Sequence, residues 1–194
     1  QPLTTAAGTV VAPALTVFVE DKFNNVVTTD SSTVTLSLSS KPAGGALANG
    51  QLSVTAANGI ATFTGLIFDV AGSYTLLASD DSLSSTKSKS FAITADLSTA
   101  HLVLLQSPAA TAVVGAKLTP FAVILKDQFG NIIKGSKSNA VVSVASGPSG
   151  GNVAGAPSAS ISSDTATFKN LSLTTAGAYT LQIADPSLLD ISNV

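Results

Sequence analysis

Val17-Phe18-Val19-Glu20-Asp21-Lys22-Phe23-Asn24-Asn25-Val26-Val27 returns later in the same chain, in outline, as Val123-Ile124-Leu125-Lys126-Asp127-Gln128-Phe129-Gly130-Asn131-Ile132-Ile133. The two passages lie 106 residues apart. Each opens on a run in which every second side chain shares a face, the mark of a strand. Each then meets an Asp-x-Phe-x-Asn segment rich in turn-forming residues. Further out, Ala61-Thr62-Phe63 returns as Ala166-Thr167-Phe168, and Ala71-Gly72-Ser73-Tyr74-Thr75-Leu76 as Ala176-Gly177-Ala178-Tyr179-Thr180-Leu181, both displaced by 105 residues. Upstream, Gly8 and Pro13 correspond to Gly115 and Pro120, with one residue of slip. Separate blocks that hold nearly one displacement mark an internal repeat.

Composition fixes what the repeat is made of. The 194 residues are 45% apolar and only 10% charged, and they leave room for two sandwich domains of roughly 100 residues each. Mean hydropathy is +0.44, so each half can bury a core. Glu20 is the only glutamate, arginine is missing, and no stretch sustains the i, i+3, i+4, i+7 spacing of a helix. An all-β chain is expected. A net charge of −2 with nine lysines gives no basic stripe for nucleic acid. No apolar run approaches the ~20 residues of a membrane helix. Without cysteine there is neither a disulfide nor a thiolate.

The alternation recurs throughout. Leu15, Val17 and Val19 share a face. Val34, Leu36 and Leu38 alternate with Thr33, Thr35 and Ser37, and Tyr74, Leu76 and Ala78 with Thr75 and Ser79. Phe91 and Ile93 continue the pattern. In the second repeat the sets are Val123 and Leu125, Val142 and Val144, Ala166 and Phe168, and Tyr179, Leu181 and Ile183. Turn signals separate these runs at 23–25, 43–45, 57–59 and 147–151. The run His101-Leu102-Val103-Leu104-Leu105-Gln106 has no counterpart in the first repeat, and Phe91-Ala92-Ile93-Thr94 none in the second. The reading is therefore residues 1–96 as one repeat lacking its first strand and 97–194 as another lacking its last. A piece of a longer array accounts for both gaps, and strand addition from a neighbouring subunit is the other way to fill them.

The Gly-x-Tyr-Thr-Leu blocks resemble the tyrosine corner of immunoglobulin-type domains, with Tyr74 and Tyr179 as the corner residues. Leu76 and Leu181 stand where those domains carry a disulfide cysteine. Together with Asp21, Phe23 and Asn25, with Asp127, Phe129 and Asn131, and with the Asn-Gly-Ile-Ala-Thr-Phe run at 58–63, the pattern resembles the bacterial immunoglobulin-like repeats of large surface and secreted proteins, the invasin and adhesin type. The resemblance covers nearly the whole chain. It implies two tandem immunoglobulin-like β-sandwiches, an extracellular or cell-surface setting, and neighbouring repeats or a cell-surface or glycan ligand as partners.

The reading finds no catalytic constellation and no cofactor. His101, the only histidine, has no nucleophile and carboxylate in a matching pattern and reads as a surface residue beside the repeat boundary. Asp80-Asp81 is the one adjacent carboxylate pair, and Asp80 aligns with Asp185. Both read as turn-capping aspartates, against the sharper alternative of a weak Ca²⁺ site. Asp21 and Asp127 read as turn anchors, with Asn25 and Asn131 taking the left-handed backbone. Asn170-Leu171-Ser172 is a glycosylation sequon at an expected turn. Gly147-Pro148-Ser149-Gly150-Gly151 lacks the Lys-Ser/Thr of a phosphate loop and reads as a flexible loop where ligand contact is to be sought. Two functions fit: a structural or adhesive stalk, spacer or fibre segment, and a non-catalytic, carbohydrate-binding accessory domain of a secreted enzyme. With no tryptophan and two tyrosines assigned to corners, the second lacks an aromatic platform.

Overall fold

The structure is a computed structural model, which describes every residue except 81, 163, 189, 190 and 194, and describes 191–193 in their backbone alone. Contacts gather into two compact units, Gln1–Ala95 and Asp96–Val194. No α-helix occurs among the described residues, and the one helical feature is a single 3-10 turn, Leu97–Thr99.

The first unit contains β1 (Thr5–Ala6), β2 (Leu15–Phe18), β3 (Thr33–Ser40), β4 (Ser53–Thr55), β5 (Ile60–Phe63), β6 (Gly72–Ser79), β7 (Thr86–Lys87) and β8 (Phe91–Thr94). The larger sheet runs β1-β8-β6-β3-β4, with β7 also on β6, and the smaller one pairs β2 with β5. Val34 and Leu36 from β3, Tyr74 and Leu76 from β6, and Phe91 and Ile93 from β8 meet Leu15, Ala61 and Phe63 from the small sheet in one buried cluster. These are the even or odd members of each alternating run, so the pleat itself sorts them inward. Two sheets that share a core in this way form an immunoglobulin-like sandwich.

The second unit contains β9 (His101–Gln106), β10 (Phe121–Lys126), β11 (Asn139–Ser146), β12 (Val153–Gly155), β13 (Ser158–Ser160), β14 (Thr165–Phe168), β15 (Leu171–Leu173), β16 (Thr180–Ala184) and β17 (Ile191–Asn193). One sheet runs β14-β10-β9 and another β13-β11-β16-β17, with β12 paired to β15. Leu15 opposite Phe63 on β2 and β5 matches Phe121 opposite Phe168 on β10 and β14, so the register repeats. The hairpin into β5 turns on Asn58 and Gly59, both with positive φ, between Ala57 and Ile60, which exchange two backbone hydrogen bonds. That is the two-residue turn whose twist suits a hairpin. Ser162 and Thr165 exchange the same two bonds, with Asp164 at φ 71°.

One strand departs from the repeat. The alternation through Tyr179, Leu181 and Ile183 predicts a strand from Tyr179, yet β16 begins at Thr180, whereas β6 already includes Gly72, Ser73 and Tyr74. In the first unit β8 pairs with exactly those residues, Gly72 with Ile93, Ser73 with Ala92 and Tyr74 with Phe91. Among the described residues nothing pairs with 177–179. An extended segment without a ladder partner has no interstrand hydrogen bonds to hold it as a strand.

Candidate functional site

Six aspartate side chains of this chain, Asp21, Asp30, Asp80, Asp96, Asp127 and Asp185, are built into turns. Asp21 Oδ1 accepts from the backbone N–H of Phe23 at 2.8 Å and of Asn25 at 3.0 Å, and Oδ2 accepts from Asn25 Nδ2 at 3.1 Å. The Asn24 N–H donates to Asp21 O at 3.0 Å, and Asp21 N–H to Asn25 O at 2.9 Å. Asp127 is held the same way: Oδ1 accepts from Phe129 N–H at 2.9 Å and Asn131 N–H at 2.8 Å, and Oδ2 from Asn131 Nδ2 at 2.8 Å. The left-handed residues of these turns are Asn24 at φ 65° and Gly130 at φ 82°, not Asn25 and Asn131 as the sequence suggested. The asparagine one place later is needed for its side-chain amide, which closes the loop onto the carboxylate. The position before it carries the positive φ that Gly and Asn tolerate.

Burial separates the two turns. Asp21 is exposed, whereas Asp127 has 0% of its surface accessible. In the second unit Asp96 N–H donates to Asp127 Oδ2 at 3.0 Å, and Gln128 N–H to Thr99 Oγ1 at 3.3 Å. The 3-10 turn thus closes over the carboxylate. Hydrogen bonds from Asn25 backbone and side chain, then from Phe23, hold the Asp21 carboxyl below the usual carboxylate range. A lowered folded-state pKa supports the fold wherever the unfolded carboxylate is already ionised, and that support is lost as pH falls through the lowered value. The loop at 21–25 is therefore expected to stay ordered at neutral pH and to loosen only below about pH 4, the ordinary carboxylate value. Amide exchange at Phe23 and Asn25, measured between pH 2 and 7 with the intrinsic rate divided out, checks this; loosening that sets in near pH 6 would contradict it.

A second turn device recurs four times. Asp30, Asp80, Asp96 and Asp185 each accept, through Oδ1, both the N–H and the hydroxyl of the serine two residues on: Ser32, Ser82, Ser98 and Ser187. Distances run from 2.6 Å for Ser187 Oγ to 3.0 Å for Ser82 N. These are Asx turns, in which a carboxylate mimics a backbone acceptor. The signal was present in the sequence as Asp-x-Ser, but only Asp80 and Asp185 were singled out there. Asp185 is buried, and its Oδ2 has no hydrogen-bond partner among the described residues. Asp81 lies outside the described residues. Among the described residues no three His, Cys, Asp or Glu side chains stand close enough to hold a metal ion. His101 begins β9 half-buried, with Nδ1 3.3 Å from Thr99 O. Asn170 is exposed at the turn before β15, and its Oδ1 accepts from Lys117 Nζ at 3.0 Å.

Tyr74 Oη donates to Val70 O at 2.8 Å and Tyr179 Oη to Thr175 O at 2.9 Å, each bond reaching back four residues. Beneath each ring lies a Pro-x-Gly-Gly turn, 42–45 and 148–151, closed by Gly45 N–H to Pro42 O and Gly151 N–H to Pro148 O, both 2.9 Å. A Cβ on Gly151 would stand 2.5 Å from Tyr179 Oη, and one on Gly45 2.8 Å from Tyr74 Oη. The glycine-rich segment read as a flexible loop for ligand contact is thus a seat for the tyrosine ring. Its glycines are there for close approach.

No protein-family model and no curated protein matches the sequence. Solved structures do, and 15 chains match. Among them, FdeC of Escherichia coli is 17% identical, aligned over 94% of this chain and 56% of its own, with a TM-score of 0.47. InvE of Yersinia pseudotuberculosis is 19% identical, aligned over 98% of this chain and 55% of its own, with a TM-score of 0.39. Both are bacterial adhesins. This chain spans little more than half the length of either structure.

Proposed function

We propose that this chain is a structural or adhesive segment, a stalk or spacer, of a large bacterial surface or secreted protein, and that its two units are tandem copies of one module. What carries the reading is the use made of its carboxylates. Asp21, Asp30, Asp80, Asp96, Asp127 and Asp185 each hold a turn by accepting nearby backbone N–H groups. A side chain committed in this way is poorly placed to bind substrate or move a proton. The low charge and the Ser- and Thr-rich outer faces of the strands suit a surface with few specific contacts.

Replacing residues 1–194 in the parent protein with an unrelated pair of sandwich domains of equal length separates spacer from binding element. A spacer predicts that adhesion of the producing cells is retained, because only reach matters. Loss of adhesion with normal surface display would overturn the spacer reading. Binding of the isolated chain on a glycan array would favour the accessory-domain alternative.

A further inference from the structure

The chain contains two Asn-Gly pairs, Asn49-Gly50 and Asn58-Gly59, and the fold treats them differently. Asn49 is exposed, and the N–H of Gly50 donates to the Oδ1 of Asn49 itself at 2.8 Å. That bond folds the side chain back over the peptide nitrogen that follows it. The amide carbon Cγ lies one C=O bond beyond the acceptor, so it is held roughly 3–3.5 Å from the nitrogen, a near-attack distance. Gly50 has φ 123°, which glycine adopts without strain, and it brings no Cβ into the path of the attack.

Asn58-Gly59 has the same residues in another geometry. The pair forms the tight turn into β5, and Gly59 is buried. Its N–H donates to Asp30 O at 3.2 Å, so this nitrogen is engaged elsewhere and shielded from hydroxide. Asn152-Val153 has the converse combination. Val153 N–H donates to Asn152 Oδ1 at 2.8 Å and Asn152 is exposed, but the branched side chain of valine crowds the nitrogen. Asn25, Asn131, Asn139 and Asn170 have their side chains tied to Asp21, Asp127, Ser160 and Lys117. Asn49 alone of these joins a folded-back amide to an unhindered glycine.

We propose that the fold directs spontaneous deamidation to Asn49. The Gly50 nitrogen, its proton lost to hydroxide, attacks Asn49 Cγ. The new N–C bond closes a succinimide ring, the Cγ–Nδ2 bond breaks, and Nδ2 leaves as ammonia with a proton from water. Water then opens either carbonyl of the ring, which leaves aspartate or isoaspartate at position 49. The change adds a carboxylate and, in the isoaspartate form, one backbone methylene. It falls where the chain pairs with Ile67: Ala48 N–H donates to Ile67 O at 2.8 Å, and Ile67 N–H to Asn49 O at 3.0 Å. An extra backbone atom there shifts the register of the pair. The next residue has no slack to absorb it, since the Cβ position of Gly50 stands 2.8 Å from Leu66 Cδ2 and 2.9 Å from Leu66 Cα. The first unit thus carries a modification that accumulates with age and needs no enzyme. This inference is independent of the stalk reading, since it concerns the chemistry of one edge whatever the parent protein does.

The test incubates the 194-residue chain at mildly alkaline pH, folded in buffer and unfolded in guanidinium chloride. The two Asn-Gly pairs share one tryptic peptide, which ends at Lys87, and fragment masses place the change on one or the other. In the folded chain position 49 is expected to react about tenfold or more faster than position 58, whose turn must open first. In the unfolded chain the two should react alike. Asn49→Gln, which would have to close a larger ring, should reduce ammonia release from the folded chain to background. Amide exchange at Ile67 should quicken in the isoaspartate fraction but not in Asn49→Asp, which adds the charge without the methylene. The proposal is overturned if position 58 reacts as fast as position 49 in the folded chain, if folding slows position 49 as much as position 58, or if Asn49→Gln releases ammonia at the original rate.

Discussion

Tyr74→Ala is expected to destabilise the first unit by about 3–5 kcal/mol, the range for removing a fully buried aromatic ring. Tyr74 has 0% of its surface accessible. Its ring is packed against Phe68 at 4.5 Å and Phe91 at 6.0 Å between centroids. Removing it leaves a cavity in the core beside Phe68 and Phe91 and takes the hydroxyl donor from the Val70 carbonyl. Against a domain stability of about 5–15 kcal/mol this brings the unit close to its midpoint at room temperature. Tyr74→Phe keeps the ring and loses the hydroxyl, at about 1 kcal/mol. Tyr179→Ala should cost markedly less than Tyr74→Ala. Tyr179 is only half-buried, and no equivalent of Phe91 covers it among the described residues. Urea denaturation with residue-resolved amide exchange reports the two units separately. Equal losses in both would refute the dependence of the cost on how deeply the ring is buried.

The second large effect falls on Asp127. Asp127→Ala is expected to cost the second unit about 2–4 kcal/mol, because it strands several part-buried donors around a carboxylate that is itself fully buried. Four groups lose their acceptor: the N–H of Phe129, of Asn131 and of Asp96, and the Asn131 amide. Asp127→Asn retains one carbonyl oxygen and should recover part of the loss. Asp21→Ala removes the corresponding turn from the first unit, but there solvent reaches the freed N–H groups, and the effect should be much smaller. Chemical denaturation of the three variants decides the matter; a drop for Asp21→Ala as large as that for Asp127→Ala would show that burial is not what makes the difference.

Local pattern was legible where its cause is local. The alternation of Val34, Leu36 and Leu38 announced β3, and the spacing within Gly-x-Tyr-Thr-Leu pointed to the corner at Tyr74. Asp-x-Phe-x-Asn announced a turn, although the left-handed position was placed one residue late, on Asn25 in place of Asn24. The signal was in the repeat, where Gly130 stands opposite Asn24 and Asn131 opposite Asn25; what keeps the second asparagine is the hydrogen bond its side-chain amide donates to Asp21. The role of Gly147 to Gly151 was hidden for another reason: what those glycines make room for is a tyrosine 28 to 32 positions away in the chain. Nor could alternation show that residues 177–179 fail to form a strand, because a strand depends on its partner as much as on itself. The deep burial of Asp127 required the 3-10 turn to fold over it, a meeting of segments about 30 residues apart.

The Asx turns at Asp30, Asp80, Asp96 and Asp185 each close over two residues of chain, and the Asp21 and Asp127 loops over four. Such short circuits ask nothing of a neighbouring module. Each unit therefore carries the specification of its own bends, within a few residues of every aspartate that makes one.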